Sequence, residues 1–210
     1  MIILSHRGYW REPAEKNRRV AFRRSFDLGF GTETDVRDCL GHLVISHDMP
    51  GDDALMLDDL LGMLAGRDTP LAFNIKADGL GRALQAQLRA HGLTRWFSFD
   101  MSVPEMVAQI GLGLPVFTRC SEHEATPVLY DKACGIWLDG FDTDWYSPQL
   151  VSSFLRDGKR VAIVSPELHG REPTQLWQRL GASGITDNPE LMLCTDLPEA
   201  AAAYFQCGVI

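Results

Sequence analysis

The chain has little of what several classes of function require. No stretch approaches the ~18 consecutive apolar residues of a membrane-crossing helix, so membrane insertion is not expected. Positive charge is in deficit: 20 lysines and arginines stand against 28 aspartates and glutamates, a formal net charge of −8. That balance denies the chain the basic footprint of a general nucleic-acid binder. An anionic substrate must then be met by a local positive site, which a bound cation supplies. The five cysteines (Cys39, Cys120, Cys134, Cys194, Cys207) are odd in number, scattered, and contain no Cys-x-x-Cys pair. They fit neither a disulfide framework nor a zinc ribbon and read as reduced thiols. No basic leader with an apolar run precedes the first apolar segment, and the expected location is cytoplasmic. A Gly-x-Ser-x-Gly elbow, a complete dinucleotide glycine loop and an EF-hand are missing as well.

What is present is a regular alternation. The 210 residues are 45% apolar and 23% charged, enough for one globular domain over 1–210. Short apolar runs predict strands at Ile2–Ser5, Gly31–Val36, Leu71–Ile75, Trp96–Phe99, Val116–Arg119, Gly135–Leu138, Arg160–Val164 and Gly184–Thr186. Between them, predicted helices cover Asn17–Leu28, Leu57–Ala65, Leu80–His91, Val103–Ile110, Glu124–Lys132, Pro148–Asp157, Pro173–Leu180 and Pro189–Tyr204. Ser147-Pro148, Asn188-Pro189 and Ser102 before Val103-Pro104 read as helix starts.

Eight strand–helix repeats call for a parallel sheet closed into a compact TIM (β/α)8 barrel, with an open doubly wound sheet as the rival. The segment Asp38–His42 reads as a hairpin turn that returns the chain and carries His47 toward the mouth. Polar residues recur at the strand ends: His6, Glu33, Asp35, Asn74, Lys76, Asp100, Arg119, Asp139, Glu167 and Asp187. In a barrel those ends converge on one face, where active sites are built.

Glu33 and Asp35 stand two apart on a strand and so share a face. Such a pair either binds a hard divalent cation such as Mg²⁺ or Ca²⁺, or shares a proton. His6 and His47 each follow an apolar strand, and imidazoles suit a general acid and a general base near neutrality. Arg7 offers a fork for phosphate oxygens, or a partner for a structural acid. Lys76, on the face of Asn74, suits neutralisation of charge building on a phosphoryl group.

The motifs His6-Arg7-Gly8, Asn17 with Ala21-Phe22, Glu33-x-Asp35, Gly41-His42-Leu43-Val44, His47-Asp48, Asn74-x-Lys76 and Gly184-Ile185-Thr186-Asp187-Asn188-Pro189 together resemble the glycerophosphodiester phosphodiesterase family. The resemblance implies a TIM barrel that hydrolyses a glycerophosphodiester, a small-molecule partner, to an alcohol and glycerol 3-phosphate. It implies His6 and His47 as the proton-transfer pair, Arg7 on the phosphate, and Glu33 and Asp35 on a divalent cation. Three departures stand out. Asn74 occupies the place of the family's third metal ligand, a glutamate, which leaves Asp100, Glu122 or Glu167 as candidates to compensate. Only Met49 to Pro70 separates the His-Asp pair from the third strand, where the family carries a longer insertion. Ser165-Pro166-Glu167-Leu168-His169 replaces the usual strand end there. Two other readings stay open: a phospholipase D-like lyase of the same superfamily, and a non-catalytic barrel that binds a phosphometabolite.

Overall fold

Ten strands and seven α-helices make up the residues that the computed structural model describes, 1–64 and 66–207. β1 (Ile2–His6) leads through α1 (Arg19–Asp27) into β2 (Gly31–Cys39). A turn through Leu40 and Gly41, both at positive φ, folds β3 (His42–Ile45) back antiparallel on β2, as a two-residue hairpin requires. β4 (Leu55–Met56) adds to β3 before α2 (Leu57–Leu64) and β5 (Leu71–Ile75). Then come α3 (Gly81–Ala90), β6 (Trp96–Phe99), α4 (Val103–Gly111), β7 (Phe117–Cys120) and β8 (Gly135–Leu138). The chain ends through α5 (Pro148–Arg156), β9 (Arg160–Val164), α6 (Thr174–Ala182), β10 (Leu191–Thr195) and α7 (Pro198–Tyr204).

Parallel pairing runs from β6 through β5, β2, β1, β10, β9 and β8 to β7. The two ends of that path meet where Ser98 and Val116 form a parallel bridge, the Ser98 N–H donating to the Pro115 carbonyl at 3.0 Å. The ring of eight parallel strands is thereby closed, as a (β/α)8 barrel.

Its interior is aromatic. Phe97 stacks on Phe117 with ring centroids 3.7 Å apart, and Phe99 stacks on Trp137 at 3.8 Å. Leu4, Ala72, Ala162, Met192 and Cys194 pack around them. Gly135 makes the packing possible, because a Cβ there would lie 2.3 Å from the Phe117 ring. Two further apolar clusters, one beneath α1–α4 and one beneath α5–α7, join the barrel wall to the helices. Ser102 and Ser147 accept from the backbone N–H groups of Glu105 and Leu150, as their positions before a helix-starting proline suggest.

Three expectations require correction. Residues Glu124–Lys132 form turns rather than a helix, so β7 and β8 are joined without one. Gly184–Thr186 is not a strand, and the segment expected as one long helix, Pro189–Tyr204, holds both β10 and α7. Pro189 precedes a strand, and the continuous apolar run Leu191–Thr195 is buried throughout, as a parallel barrel strand must be. Ala65, the end of the expected second helix, lies outside the described residues.

Candidate active site

Register fixes which strand-end residues face inward together. His6 pairs with Glu33, and Asp35 with Asn74, which pairs in turn with the interior Phe99. His6, Glu33, Asp35 and Asn74 therefore rise as one polar layer directly above the aromatic interior, at the carboxyl ends of β1 and β5 and level with them on β2, which continues beyond the barrel into the hairpin with β3. Lys76, one alternation beyond Asn74, reaches the same layer.

Glu33 is 2% exposed and Asp35 wholly buried. Asp35 accepts a hydrogen bond from Asn17 Nδ2 at 2.8 Å and pairs ionically with Arg7 Nε at 3.0 Å and Lys76 Nζ at 3.3 Å, while its Oδ1 has no hydrogen-bond partner. Glu33 has less help. The Arg7 backbone N–H donates to its carboxylate at 3.3 Å, and His6 Nε2 lies 3.9 Å away. Burial, then the neighbouring Asp35 charge, push the Glu33 carboxyl well above the usual carboxylate range, against the opposing pull of Arg7 and Lys76.

His6 is anchored from behind. Its Nδ1 lies 2.7 Å from Asp196 Oδ1, which also accepts from the Trp10 indole at 3.3 Å. Donation from Nδ1–H to that carboxylate leaves Nε2 as the free lone pair, on the Glu33 side. Burial lowers the His6 pKa, Asp196 opposes that fall, and the charges of Arg7 and Lys16 add to it.

The loop after β1 is bent to serve this layer. Arg7 and Asn17 hold left-handed backbone at φ 58° and 60°, and Asp100 does so after β6 at 64°. Such conformations cost about 1–3 kcal/mol each for non-glycine residues and gather at functional sites. Gly8 follows at φ 81°, where a Cβ would meet the Ala21 backbone at 2.9 Å. The turn joins the Arg7 carbonyl to the Asn17 N–H and presents the Asn17 amide to Asp35, while Thr34 donates to the Asn17 oxygen at 2.9 Å.

His47 sits apart from this layer. It lies beyond β3, its side chain is 44% exposed, and its Nδ1 lies 2.8 Å from Asp48 Oδ1. It shares with Arg7, Lys16, Asn17, Ser46 and Asp48 a cavity of about 380 Å³ beside the carboxylate layer.

The strand ends on the opposite wall carry polar residues that are already matched. Asp139 meets His169 Nε2 at 2.7 Å and the Gly140 N–H at 2.8 Å. Arg171 holds Asp144 at 2.8 Å and donates to the Gly140 carbonyl at 2.5 Å. Glu122 accepts from the backbone N–H groups of Phe141, Asp142 and Thr143, and Glu167 from Thr195, Ser165 and the Asp196 N–H. Each glutamate is thus already held by donors of its own. Glu122, His123 and Asp142 also form the one tight His/Cys/Asp/Glu group among the described residues, at the surface, with Glu122 occupied by those amides.

Two site residues escaped sequence reasoning. Asp187, expected at the last strand end, lies outside that strand, and Asp196 stands at the end of β10 instead. The signal was present as a second Thr-Asp-x-Pro, Thr195-Asp196-Leu197-Pro198, after the apolar run Leu191–Cys194. Asn17 belonged to a quoted motif without a role, and its tolerance of left-handed backbone was the available clue.

No protein-family model and no curated protein matches the chain. Solved structures do. A glycerophosphodiester phosphodiesterase from Agrobacterium tumefaciens, 18% identical, superposes with a TM-score of 0.76 over 98% of this chain and 99% of its own. The chain has the glycerophosphodiester phosphodiesterase fold. A phosphodiesterase from Oleispira antarctica, solved with its product sn-glycerol 3-phosphate, is 15% identical, with a TM-score of 0.72 and coverage of 98% and 97%. A third, a glycerophosphoryl diester phosphodiesterase from Parabacteroides distasonis, is 11% identical, with a TM-score of 0.70 and coverage of 98% and 86%. At identities this low the likeness shows the architecture alone.

Proposed function

We propose that this chain is a divalent-cation-dependent phosphodiesterase that hydrolyses a glycerophosphodiester to an alcohol and glycerol 3-phosphate. One observation carries the reading: two buried carboxylates, a back-anchored imidazole and two cationic side chains converge at the mouth of three adjacent strands. The proteins that share the fold, including the one solved with sn-glycerol 3-phosphate, support the substrate class.

The donor set suits a hard cation such as Mg²⁺ or Ca²⁺. Glu33 is buried without a full charge partner, and Asn74 Oδ1 is a buried oxygen with no hydrogen-bond partner. Oxygens of Glu33, Asp35 and Asn74 would hold the ion. When bound, it would supply Lewis-acid neutralisation of a nonbridging phosphate oxygen and acidify the attacking water or substrate hydroxyl, the latter giving a cyclic phosphate that water then opens.

The side chains do the rest. His6, held by Asp196 with Nε2 free, exchanges one proton with the reacting oxygens, and His47 on the cavity rim exchanges the other. One takes the nucleophile's proton while its counterpart protonates the leaving alkoxide. Arg7 and Lys76, now resting on Asp35, are placed to stabilise the added negative charge on the phosphoryl group. The partner is a small polar phosphodiester. The five free thiols fit a cytoplasmic setting, and no described helix is long and apolar enough to cross a membrane.

The test is cleavage of a chromogenic phosphodiester and of glycerophosphoglycerol with Mg²⁺, Mn²⁺ or Ca²⁺, in the parent, His6→Ala and His47→Ala. Undiminished hydrolysis in both variants overturns the mechanism. Product phosphate that carries no oxygen from labelled water points instead to the lyase.

A further inference from the structure

The amide of Asn74 is oriented, and its orientation has a cause. Its Nδ2 lies 3.4 Å from Asp100 Oδ2, while Oδ1 is buried with no partner beside Asp35, its register neighbour. Asp100 bears only acceptors, so a flipped amide would set oxygen against oxygen. Asp100 is held in turn: Arg119 donates Nε at 2.8 Å and a second guanidinium nitrogen to Oδ1, which leaves Oδ2 for the amide. Arg119 is itself fixed by Glu124 at 3.5 Å and by its place over the Phe141 ring at 5.6 Å. Asp100 itself holds left-handed backbone at φ 64°, a conformation that gathers at functional sites.

We infer that Asp100, clamped by Arg119, is a positioning residue that points the Asn74 oxygen at the cation site, so that an oriented amide replaces a third carboxylate. The inference rests on the cation reading of Glu33 and Asp35 given above. Its consequence is a site with two negative charges, both on β2, whose third oxygen counts only while Asp100 holds it. Asp100 serves from behind the ligand, and its pairing with Arg119 removes it as a ligand itself.

The experiment is a binding cycle on purified, cation-stripped protein, read as Mn²⁺ affinity by calorimetry, with circular dichroism checking the fold of each variant. Asp100→Ala should weaken Mn²⁺ binding about 10–100-fold, the range for loss of a residue that orients a ligand. In the Asn74→Asp background the same change should leave affinity unaltered or raise it, because a carboxylate has two equivalent oxygens and needs no orienting group. Arg119→Gln, which releases Asp100, should give a smaller loss and serves if Asp100→Ala does not fold. Equal losses in both backgrounds, or parent affinity kept within twofold, overturn the inference alone. A parent protein that binds no Mn²⁺ overturns the cation reading and this inference with it.

Discussion

The two walls of the barrel mouth carry similar residues in opposite states. On the wall of β7–β9, Asp139 answers to a histidine, Asp144 to an arginine, Glu122 to backbone amides, and Glu167 to two hydroxyls and a backbone amide. On the wall of β1, β2 and β5, Glu33 is buried without a full partner, Asn74 has an orphan oxygen, and the cations crowd onto Asp35. Polar side chains at strand ends are thus common to the whole rim. Unmatched acceptor oxygens distinguish the wall of β1, β2 and β5, where Asp35 Oδ1 and Asn74 Oδ1 are buried without a hydrogen-bond partner, because such an oxygen is expensive unless something binds it.

Substitutions that break this contrast should differ in kind. The largest effect is expected at His6: His6→Ala should lower kcat/KM on a glycerophosphodiester by about 10²–10⁴-fold, the usual contribution of general acid–base catalysis. Next is Asp196→Asn, which keeps the shape but loses the orienting charge and should lower kcat about 10–100-fold. Asp187→Asn, in the other Thr-Asp-x-Pro, should leave kcat unchanged, and equal effects of the two would sink the assignment of Asp196.

On the opposite wall the outcome should be stability without catalysis. Arg171→Gln removes the support of Asp144 and of the Gly140 carbonyl and should lower unfolding free energy by about 1–3 kcal/mol in denaturant titration, with kcat retained. A loss of turnover at full stability would place that wall in the chemistry.

The smallest effect concerns pH. Burial raises the folded-state pKa of Glu33 above its unfolded value, so the cation-free fold binds the extra proton. Its stabilising contribution is then complete below the unfolded carboxylate range and is lost as pH rises toward the raised value. A cation needs the ionised form, so the rise in Tm with saturating Ca²⁺ should be several degrees at pH 7, about 5–10 °C, and much smaller at pH 5. Glu33→Gln should abolish the difference. An equal rise at both pH values argues against Glu33 as a ligand.

Much of the near wall was legible because its geometry is local. Alternation puts Glu33 and Asp35 on one face of a strand, and Asn74 and Lys76 on one face of another, whatever the rest of the fold does. Seven of the eight barrel strands were legible for the same reason, as buried apolar runs. The eighth was missed because Asn188-Pro189 resembles a helix start, and only burial on both sides shows Leu191–Thr195 to be a strand. That shift hid Asp196, 190 residues from His6 in sequence and 2.7 Å from it in space. The states of Asp100, Glu122 and Glu167 were equally hidden, since a carboxylate's partner is not written in its neighbours.

The amino-acid sequence by itself determined the alternating architecture and the identity of the acidic, basic and imidazole groups. Side-chain period and residue chemistry are properties of short segments. Only the tertiary structure decided which carboxylates are matched and which are left wanting, that Asp196 backs His6, and that Asn74 faces inward. Those facts depend on closing the ring, which brings β10 beside β1 and the end of β6 beside β7, and no local pattern encodes the distance between such remote segments.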